Sequence, residues 1–308
     1  MSPSIALNKK SRGFELGVWM SQQLAAVESA LERWVAPPDT APAALAEPMR
    51  YAVLDGGKRL RPLLVMAASE AVAGHPQAAL RAACAVELIH AYSLVHDDMP
   101  CMDNDVLRRG KPTVHVRYGQ ASAMLAGDAL QALAFELLVP EDDSIDPPKQ
   151  ALLCRMLARA AGGQGMAGGQ AIDLASVGQG IGSAQLHEMH RLKTGALLQA
   201  SVLMGAHCGQ PSAQALLALS DYGAAMGLAF QVVDDILDVT ADSQTLGKTA
   251  GKDAAQDKPT FVSLMGLRDS RHYAQELLSQ AQASLRHSGL PDTTALRALA
   301  DRLVHRAS

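Results

Sequence analysis

The segment YGAAMGLAFQVVDDILDV, residues 222–239, decides the fold because its apolar side chains repeat with the period of an α-helix. Five residues recur at spacings of three or four and form one apolar stripe: Tyr222, Met226, Ala229, Val233 and Leu237. Such a stripe is buried when the helix packs against other helices. The segment therefore predicts a long helix in a helical core.

The rest of the chain has the same character. Alanine- and leucine-rich segments of about 15 to 30 residues are separated by short breakers such as residues 74–76 and 209–211. Strand-like alternation is essentially absent, and no linker rich in Gly, Ser or Pro divides the chain. We expect one all-α domain over residues 21–308, a first helix from about residue 22 to 35, and a flexible N-terminal arm over residues 1–20.

The composition restricts the function classes. The 308 residues carry a net charge of −4, which gives no basic surface for nucleic acid. The four cysteines are scattered and form no CxxC pair, as is typical of reduced thiols in a cytoplasmic protein. No uninterrupted apolar run is long enough to cross a bilayer, so we expect a cytoplasmic protein that does not span a membrane.

An acidic face lies beside the apolar stripe of residues 222–239. Gln231, Asp234 and Asp238 recur at i, i+3 and i+7, and the two aspartates repel each other unless a cation lies between them. A solvated acidic face is the alternative. The surroundings are apolar and contain no compensating lysines, so we favour Mg²⁺ held by carboxylate oxygens.

A second acidic cluster occurs in HDDMPCMDNDVLRRGKP, residues 96–112. A proline that follows shortly after places Asp97 and Asp98 at the C-terminal end of a helix, where the dipole disfavours carboxylates and favours cations. Asp103 lies five residues beyond Asp98, so a local distortion must bring it back. His90 lies on the same helix face as Asp97, although a lone histidine there is more often a core residue.

Basic residues accompany both clusters. Arg108 and Arg109 offer forked donors that match phosphate oxygens, although either could instead neutralise a neighbouring aspartate. In GGKRLRP, residues 56–62, Lys58 and Arg61 lie at the expected N-terminus of a helix, an end that attracts anions. Aspartates and cations together predict metal-bridged binding of a diphosphate, with both surrounding the ligand rather than pairing with each other.

Three motifs together resemble the trans-isoprenyl diphosphate synthases: ELIHAYSLVHDDMPCMDNDVLRRGKPTVH, GGKRLRP and FQVVDDILDV. The resemblance covers roughly residues 45–305 and is strongest to the bacterial farnesyl diphosphate synthases. It implies a bundle of long helices around a central cavity, usually a homodimer. It also implies Mg²⁺-dependent condensation of isopentenyl diphosphate with dimethylallyl or geranyl diphosphate. Geranylgeranyl diphosphate is the alternative product.

The resemblance also implies the site residues. Those expected to hold Mg²⁺, as three ions with substrate bound, are Asp97, Asp98, Asp103, Asp234, Asp235 and Asp238, of which Asp97, Asp103 and Asp234 are the strongest candidates for direct contact. Those expected to bind isopentenyl diphosphate are Lys58, Arg61, His90 and Arg109. Those expected to bind the allylic diphosphate are Arg108, Lys193, Thr194, Gln231, Lys248 and Lys258. Catalytic roles are implied for Lys193, Asp97 and Asp234, and Tyr92 is implied to limit product length.

Other interpretations fit less well. A terpene cyclase would lack GGKRLRP and typically the second DDxxD, and a non-catalytic regulatory subunit would not need the repelling aspartates. HEMHR, residues 187–191, misses the HExxH spacing of zinc proteases by one position. GGQGMAGGQ, residues 162–170, follows no strand and indicates close helix packing, with Gln170 and Asp173 as supporting candidates. The lysine-rich residues 245–259 are expected to form a lid over diphosphate.

Overall fold

The computed structural model describes residues 14–37, 39–54, 56–179, 181–240 and 259–306. Within these ranges the chain is mainly helical and has almost no strand, so the predicted all-α fold class is confirmed. The helices are α1 (Leu16–Trp34), α2 (Ala43–Val53), α3 (Leu60–Ala71), α4 (Pro76–Asp97), α5 (Val114–Tyr118), α6 (Gln120–Glu136), α7 (Pro147–Ala161), α8 (Met166–Ser176), α9 (Ser183–His190), α10 (Ala196–His207), α11 (Ala213–Thr240), α12 (Phe261–Met265), α13 (Leu267–Arg286) and α14 (Thr294–His305).

Two irregular elements interrupt this helical order. Strands β1 (Leu107–Arg108) and β2 (Lys111–Pro112) form a minimal antiparallel pair between α4 and α5. A π-helical segment, Arg191–Gly195, joins α9 to α10 without a break in the helix. Single π-helical turns inside α-helices occur frequently at functional sites. Both irregular elements carry residues that the sequence assigns to diphosphate binding.

Helix α11 has the structure that its sequence pattern predicts. The stripe faces the core: Leu237 is half-buried and packs against it, and the other four members are buried, namely Tyr222, Met226, Ala229 and Val233. The Tyr222 hydroxyl donates to the carbonyl oxygen of Leu296 on α14 at 2.8 Å, which satisfies its polar group inside the core. The stripe fixes the rotation of α11 and therefore the direction of its acidic face.

The first helix begins earlier than predicted. α1 starts at Leu16 rather than near residue 22, so residues 16–20, which were assigned to the flexible arm, are helical. The cause is Trp19, which is buried in the core and whose Nε1 donates to Glu70 Oε2 on α3 at 2.7 Å. This tertiary anchor is not visible in a segment whose Gly and Ser content suggests a loose chain. Residues 1–13 lie outside the described residues.

In the described part of the chain, most of the core lies in two large apolar clusters that share α10, and a smaller third cluster includes Val95 and Val114. One face of α10, with Leu197 and Met204, packs in the cluster that is built around α4. The other face, with Leu198 and Val202, packs in the cluster built around α11 and α13. α10 also approaches α3 closely at Gly205, where an added Cβ would lie 2.2 Å from a backbone oxygen. The helices that carry the two acidic clusters are therefore fixed relative to each other through α10.

Among the described residues, two helices are long and apolar enough to cross a membrane by length and composition alone, α4 and α11. The most apolar window of α4 is 72% buried inside the fold, and that of α11 is 56% buried. Core helices of globular proteins meet the same criterion.

Candidate active site

The first acidic cluster lies where α4 ends, as the sequence predicts. The helix stops at Asp97, and Asp98 caps it. The chain then folds back, because the Asp103 amide donates to the Asp97 carbonyl oxygen at 2.9 Å and the Asp105 amide donates to the Asp98 carbonyl oxygen at 3.1 Å. Asn104 adopts a left-handed conformation within this turn, with φ of 51°. This is the local distortion required to bring Asp103 back to Asp97.

Asp98 and Arg108 form a buried, bidentate ion pair. Arg108 Nε lies 2.8 Å from Asp98 Oδ2, and its Nη2 lies 2.6 Å from Oδ1. Asp98 is only 3% exposed, so the pair is largely withdrawn from water. The expectation that aspartates and arginines surround a ligand without pairing is wrong for these two. The reason is the β1–β2 turn, which folds Arg108 back over the end of α4.

Asp97 differs electrostatically from its neighbour. The pKa of Asp97 is raised to about 6, mainly by burial and also by Asp103 and Asp98, while Lys193 and Arg108 oppose the shift. The charged carboxylate is therefore costly in this environment unless a cation lies close to it. Asp97 also interacts electrostatically with Lys193 on the π-helical segment. From the sequence, these two residues could be assigned to one site only by resemblance.

The second acidic cluster divides into carboxylates with different partners. Asp234 Oδ1 accepts from Arg306 Nη2 at 2.5 Å. Asp235 is 2% exposed; its Oδ1 accepts from Gln231 Nε2 and its Oδ2 from the Phe261 amide, each at 2.8 Å. Both oxygens of Asp235 therefore already accept hydrogen bonds within the protein, one of them from the start of α12. Asp238, one turn later, is 4% exposed.

The π-helical segment brings two further candidates to α11 and α8. Thr194 Oγ1 donates to Gln231 Oε1 at 3.2 Å, which extends the network that ends at Asp235. Lys193 Nζ donates to Asp173 Oδ2 on α8 at 2.5 Å. Asp173 thus supports Lys193, as the sequence suggested.

Glycines allow the backbones to come this close. A Cβ at Gly169 would lie 2.1 Å from the backbone nitrogen of Lys193, and one at Gly227 would lie 2.6 Å from Gly195 Cα. The close helix packing predicted for the segment 162–170 is therefore confirmed. The side-chain amide of Gln170, in that segment, is buried and has no hydrogen-bond partner within the described part of the chain.

The two arginines of GGKRLRP have different environments. Arg59 is 4% exposed, adopts a left-handed backbone with φ of 44°, and donates to Glu28 and Glu87, each at 2.7 Å. It anchors the start of α3 in the core. Burial lowers the pKa of Arg61, which Glu87 and Asp234 partly offset, and its Nε has no hydrogen-bond partner among the described residues. Arg61, not Arg59, is therefore the arginine with a donor available for a ligand.

A cavity of about 90 Å³ collects several predicted diphosphate ligands. His90, Arg108 and Arg109 line it, beside the buried Arg59–Glu87 pair. Burial lowers the pKa of His90 well below its ordinary value, and the neighbouring arginines lower it further, so its imidazole is neutral near pH 7. Neutral His90 can donate one hydrogen bond without adding charge to an already cationic site.

The GGKRLRP turn meets the second arginine of the β1–β2 turn. Arg109 Nη1 donates to the Gly56 carbonyl oxygen, and a Cβ at Gly57 would lie 2.8 Å from the Arg109 guanidinium. Lys58 lines a different, larger cavity of about 640 Å³, together with Arg306. The structure therefore brings Arg109 to the GGKRLRP turn, whereas Lys58 of that turn lines the larger cavity.

Three predicted residues remain, Tyr92, Lys248 and Lys258. Tyr92, on α4, is half-buried and meets the ring of His96 edge-on, with centroids 5.7 Å apart. Lys248 and Lys258, with nearly all of the predicted lid, lie outside the described residues. Sequence reasoning missed Arg306, because it is 72 residues from Asp234 and a cation at a helix C-terminus is common.

Comparisons with known proteins agree with this geometry. Residues 42–288 match the polyprenyl synthetase family. The chain is 51% identical to the probable farnesyl diphosphate synthase of Bradyrhizobium diazoefficiens, over 86% of this chain and 80% of that protein. It is 42% identical to a chloroplastic geranylgeranyl pyrophosphate synthase of Capsicum annuum, over 95% of this chain and 79% of that protein.

A solved structure adds evidence from a ligand complex. The crystal structure of the geranyltransferase from Helicobacter pylori, complexed with magnesium and isoprenyl diphosphate, superposes with a TM-score of 0.83. It is 34% identical in sequence and covers 96% of this chain and 98% of that one. The similarity extends over nearly the whole of both chains.

Proposed function

Since this chain belongs to the polyprenyl synthetase family and is a prenyltransferase, we propose that it condenses isopentenyl diphosphate with dimethylallyl and geranyl diphosphate to form farnesyl diphosphate. One observation carries the proposal. The end of α4 places the desolvated Asp97 beside Arg108 and Lys193, while Arg108 also lines the cavity that contains His90 and Arg109. Carboxylates for a cation and donors for phosphate thus lie next to each other.

The residues suit Mg²⁺, which prefers oxygen ligands and usually binds through one or two carboxylates together with phosphate oxygens. The proposed ligands are Asp97 and Asp103 at the end of α4 and Asp234 and Asp238 on α11. In the described ranges no three acidic, histidine or cysteine side chains form a ready-made metal cluster. A substrate diphosphate that completes the coordination accounts for this, and we propose three ions in the substrate complex. Bound Mg²⁺ would stabilise charge on the departing diphosphate.

The protein's own donors supply the remaining stabilisation of that charge. Arg108, fixed by Asp98, and Lys193, fixed by Asp173, are preorganised cations that do not need to reorient when the allylic carbon–oxygen bond breaks. Thr194 and the Gln231 amide are proposed as further donors to the allylic diphosphate. Lys248 and Lys258 are assigned to the same diphosphate by resemblance alone.

The second substrate is assigned to a separate basic group. Lys58, Arg61, His90 and Arg109 are proposed to hold isopentenyl diphosphate through charge-assisted hydrogen bonds. Because His90 is neutral, it orients the diphosphate rather than neutralises it. The apolar lining of the site would keep water away from the allylic cation until the double bond attacks.

Product length separates the proposal from its alternative. Tyr92 is proposed to end the prenyl pocket after fifteen carbons, and its packing against His96 would hold the ring in place. If Tyr92 does not close the pocket, geranylgeranyl diphosphate is the expected product.

Assembly and location are proposals as well. We propose a homodimer, as the resemblance implies, and exposed apolar side chains on the α5–α6 side fit a contact between copies: Val116, Met124 and Leu125 are 50%, 41% and 57% exposed. The free cysteines support a cytoplasmic location, and the net charge of −4 argues against nucleic acid as a partner.

The test is incubation of the purified protein with dimethylallyl and isopentenyl diphosphates, with Mg²⁺ or with EDTA, followed by chromatography of the dephosphorylated products. We expect farnesol only with Mg²⁺. Asp97→Asn should abolish turnover, whereas Asp143→Asn, an exposed loop substitution with the same change in charge, should not. Hydrocarbon release without consumption of isopentenyl diphosphate would indicate a cyclase, and no turnover at all would indicate a regulatory subunit.

A further inference from the structure

The C-terminal end of the described chain lies against the second acidic cluster. Arg306 follows α14, and its Nη2 lies 2.5 Å from Asp234 Oδ1 on α11. The guanidinium carbon also lies 4.7 Å from the centre of the Phe230 ring, on the turn of α11 before Asp234. The Arg306 and Asp234 side chains are 19% and 35% exposed, so the pair is partly shielded from water. A distant helix thus holds a carboxylate that is a proposed metal ligand.

This contact and a metal ion would bind the same carboxylate. Arg306 Nη2 lies 2.5 Å from Asp234 Oδ1. Mg²⁺ binds a carboxylate oxygen even more closely, at about 2.0–2.1 Å. A divalent cation on Asp234 would also repel the guanidinium, because like charges a few ångströms apart interact strongly at partly buried sites. Arg306 and the metal therefore compete for Asp234.

An adjacent cavity can accept the Arg306 side chain when it leaves Asp234. The cavity of about 640 Å³ lies beside it, and Arg306, Phe230 and Leu303 are among the residues that line it. Arg306 Nε has no hydrogen-bond partner among the described residues, so this nitrogen does not hold the guanidinium in place. A long arginine side chain can therefore turn away while α14 stays in place.

We propose that Arg306 is a built-in counter-ion that competes with the divalent metal for Asp234. In the metal-free protein it neutralises this carboxylate and limits repulsion within the acidic cluster. When metal and diphosphate bind, it leaves Asp234 for the adjacent cavity. The inference rests on the proposed role of Asp234 as a metal ligand.

The test is a titration of the metal-free protein with Mn²⁺ alone, followed by the electron paramagnetic resonance signal of the free ion. Arg306→Gln should bind Mn²⁺ about threefold more tightly than the wild type, the scale expected for loss of a partly exposed ion pair. Arg302→Gln is the matched control for charge, because Arg302 lies on the same helix and lines the same cavity. The increase in Mn²⁺ affinity caused by Arg302→Gln should be less than half of the increase caused by Arg306→Gln.

Two results would overturn the inference. Equal or weaker Mn²⁺ binding by Arg306→Gln would show that no competition exists, and an equal gain in Arg302→Gln would attribute the effect to overall charge. If Arg306→Gln does not fold, Arg306→Met, which keeps an unbranched chain against Phe230, decides by the same criterion. Asp234→Asn separates the two proposals: if it leaves Mn²⁺ binding unchanged, the metal assignment itself fails.

Discussion

Gly227→Ala tests whether the close approach of α11 to the π-helical segment positions the site. The new Cβ would lie 2.6 Å from Gly195 Cα, whereas carbon atoms in ordinary contact are about 3.5–4.0 Å apart. The two backbones must therefore separate by about 1 Å, and overpacking of this kind costs about 1–3 kcal/mol. The contact is between backbones, so no side-chain rotation can relieve it.

The functional consequence follows from the hydrogen bond one turn later. Thr194 Oγ1 lies 3.2 Å from Gln231 Oε1, and a separation of about 1 Å would break this bond and shift Gln231 relative to Asp234. Misplacement on this scale is expected to lower kcat/KM by about ten- to a hundredfold.

Urea denaturation followed by circular dichroism measures the stability change, and the condensation assay measures kcat/KM. Gly17→Ala in α1 is the control, because nothing lies within 4 Å of its added Cβ and alanine favours a helix by up to about 1 kcal/mol. The reasoning is refuted if Gly227→Ala matches the wild type in both measurements, since the backbones would then have no need of a glycine.

Three further results are expected. Burial lowers the pKa of His190 to about 4, so the stability that neutral His190 contributes above pH 6.5 is lost as the pH falls toward 4. Between pH 7 and pH 5, the unfolding free energy of His190→Gln should therefore fall by about 2 kcal/mol less than that of the wild type. Equal losses in the two proteins would exclude His190 as the cause. Glu87→Gln removes a partner of buried Arg59 and should cost about 3 kcal/mol in urea denaturation, against less than about 1 kcal/mol for Glu32→Gln in a surface pair; similar values would contradict the buried-pair argument. Tyr92→Ala should give products longer than fifteen carbons by chromatography, and an unchanged product would remove Tyr92 from the length argument.

The sequence alone predicted those features that depend on residues close together in the chain. The spacing of Tyr222, Met226, Ala229 and Val233 predicted α11 and its buried face, because residues three and four apart lie on the same side of a helix. The proline after Asp98 predicted the end of α4 for a similarly local reason. The motif resemblance gave the family, which the comparisons support.

The sequence could not assign partners to individual charges. Arg59 and Arg61 are two residues apart in one motif, yet only the fold shows that Arg59 forms a buried ion pair with Glu87. Likewise, Asp98 and Asp235 look equivalent to their neighbours, but one is bound by Arg108 and the other accepts from a backbone amide 26 residues away.

Helix position and apolar periodicity are therefore properties of the sequence itself, since they depend on contacts within a turn or two. The partner of each carboxylate was decided by the tertiary structure, because ion pairs form between side chains that packing brings together from distant parts of the chain. The contact between Arg306 and Asp234 is the clearest case, since 72 residues separate its two members and no local pattern marks either as the other's partner.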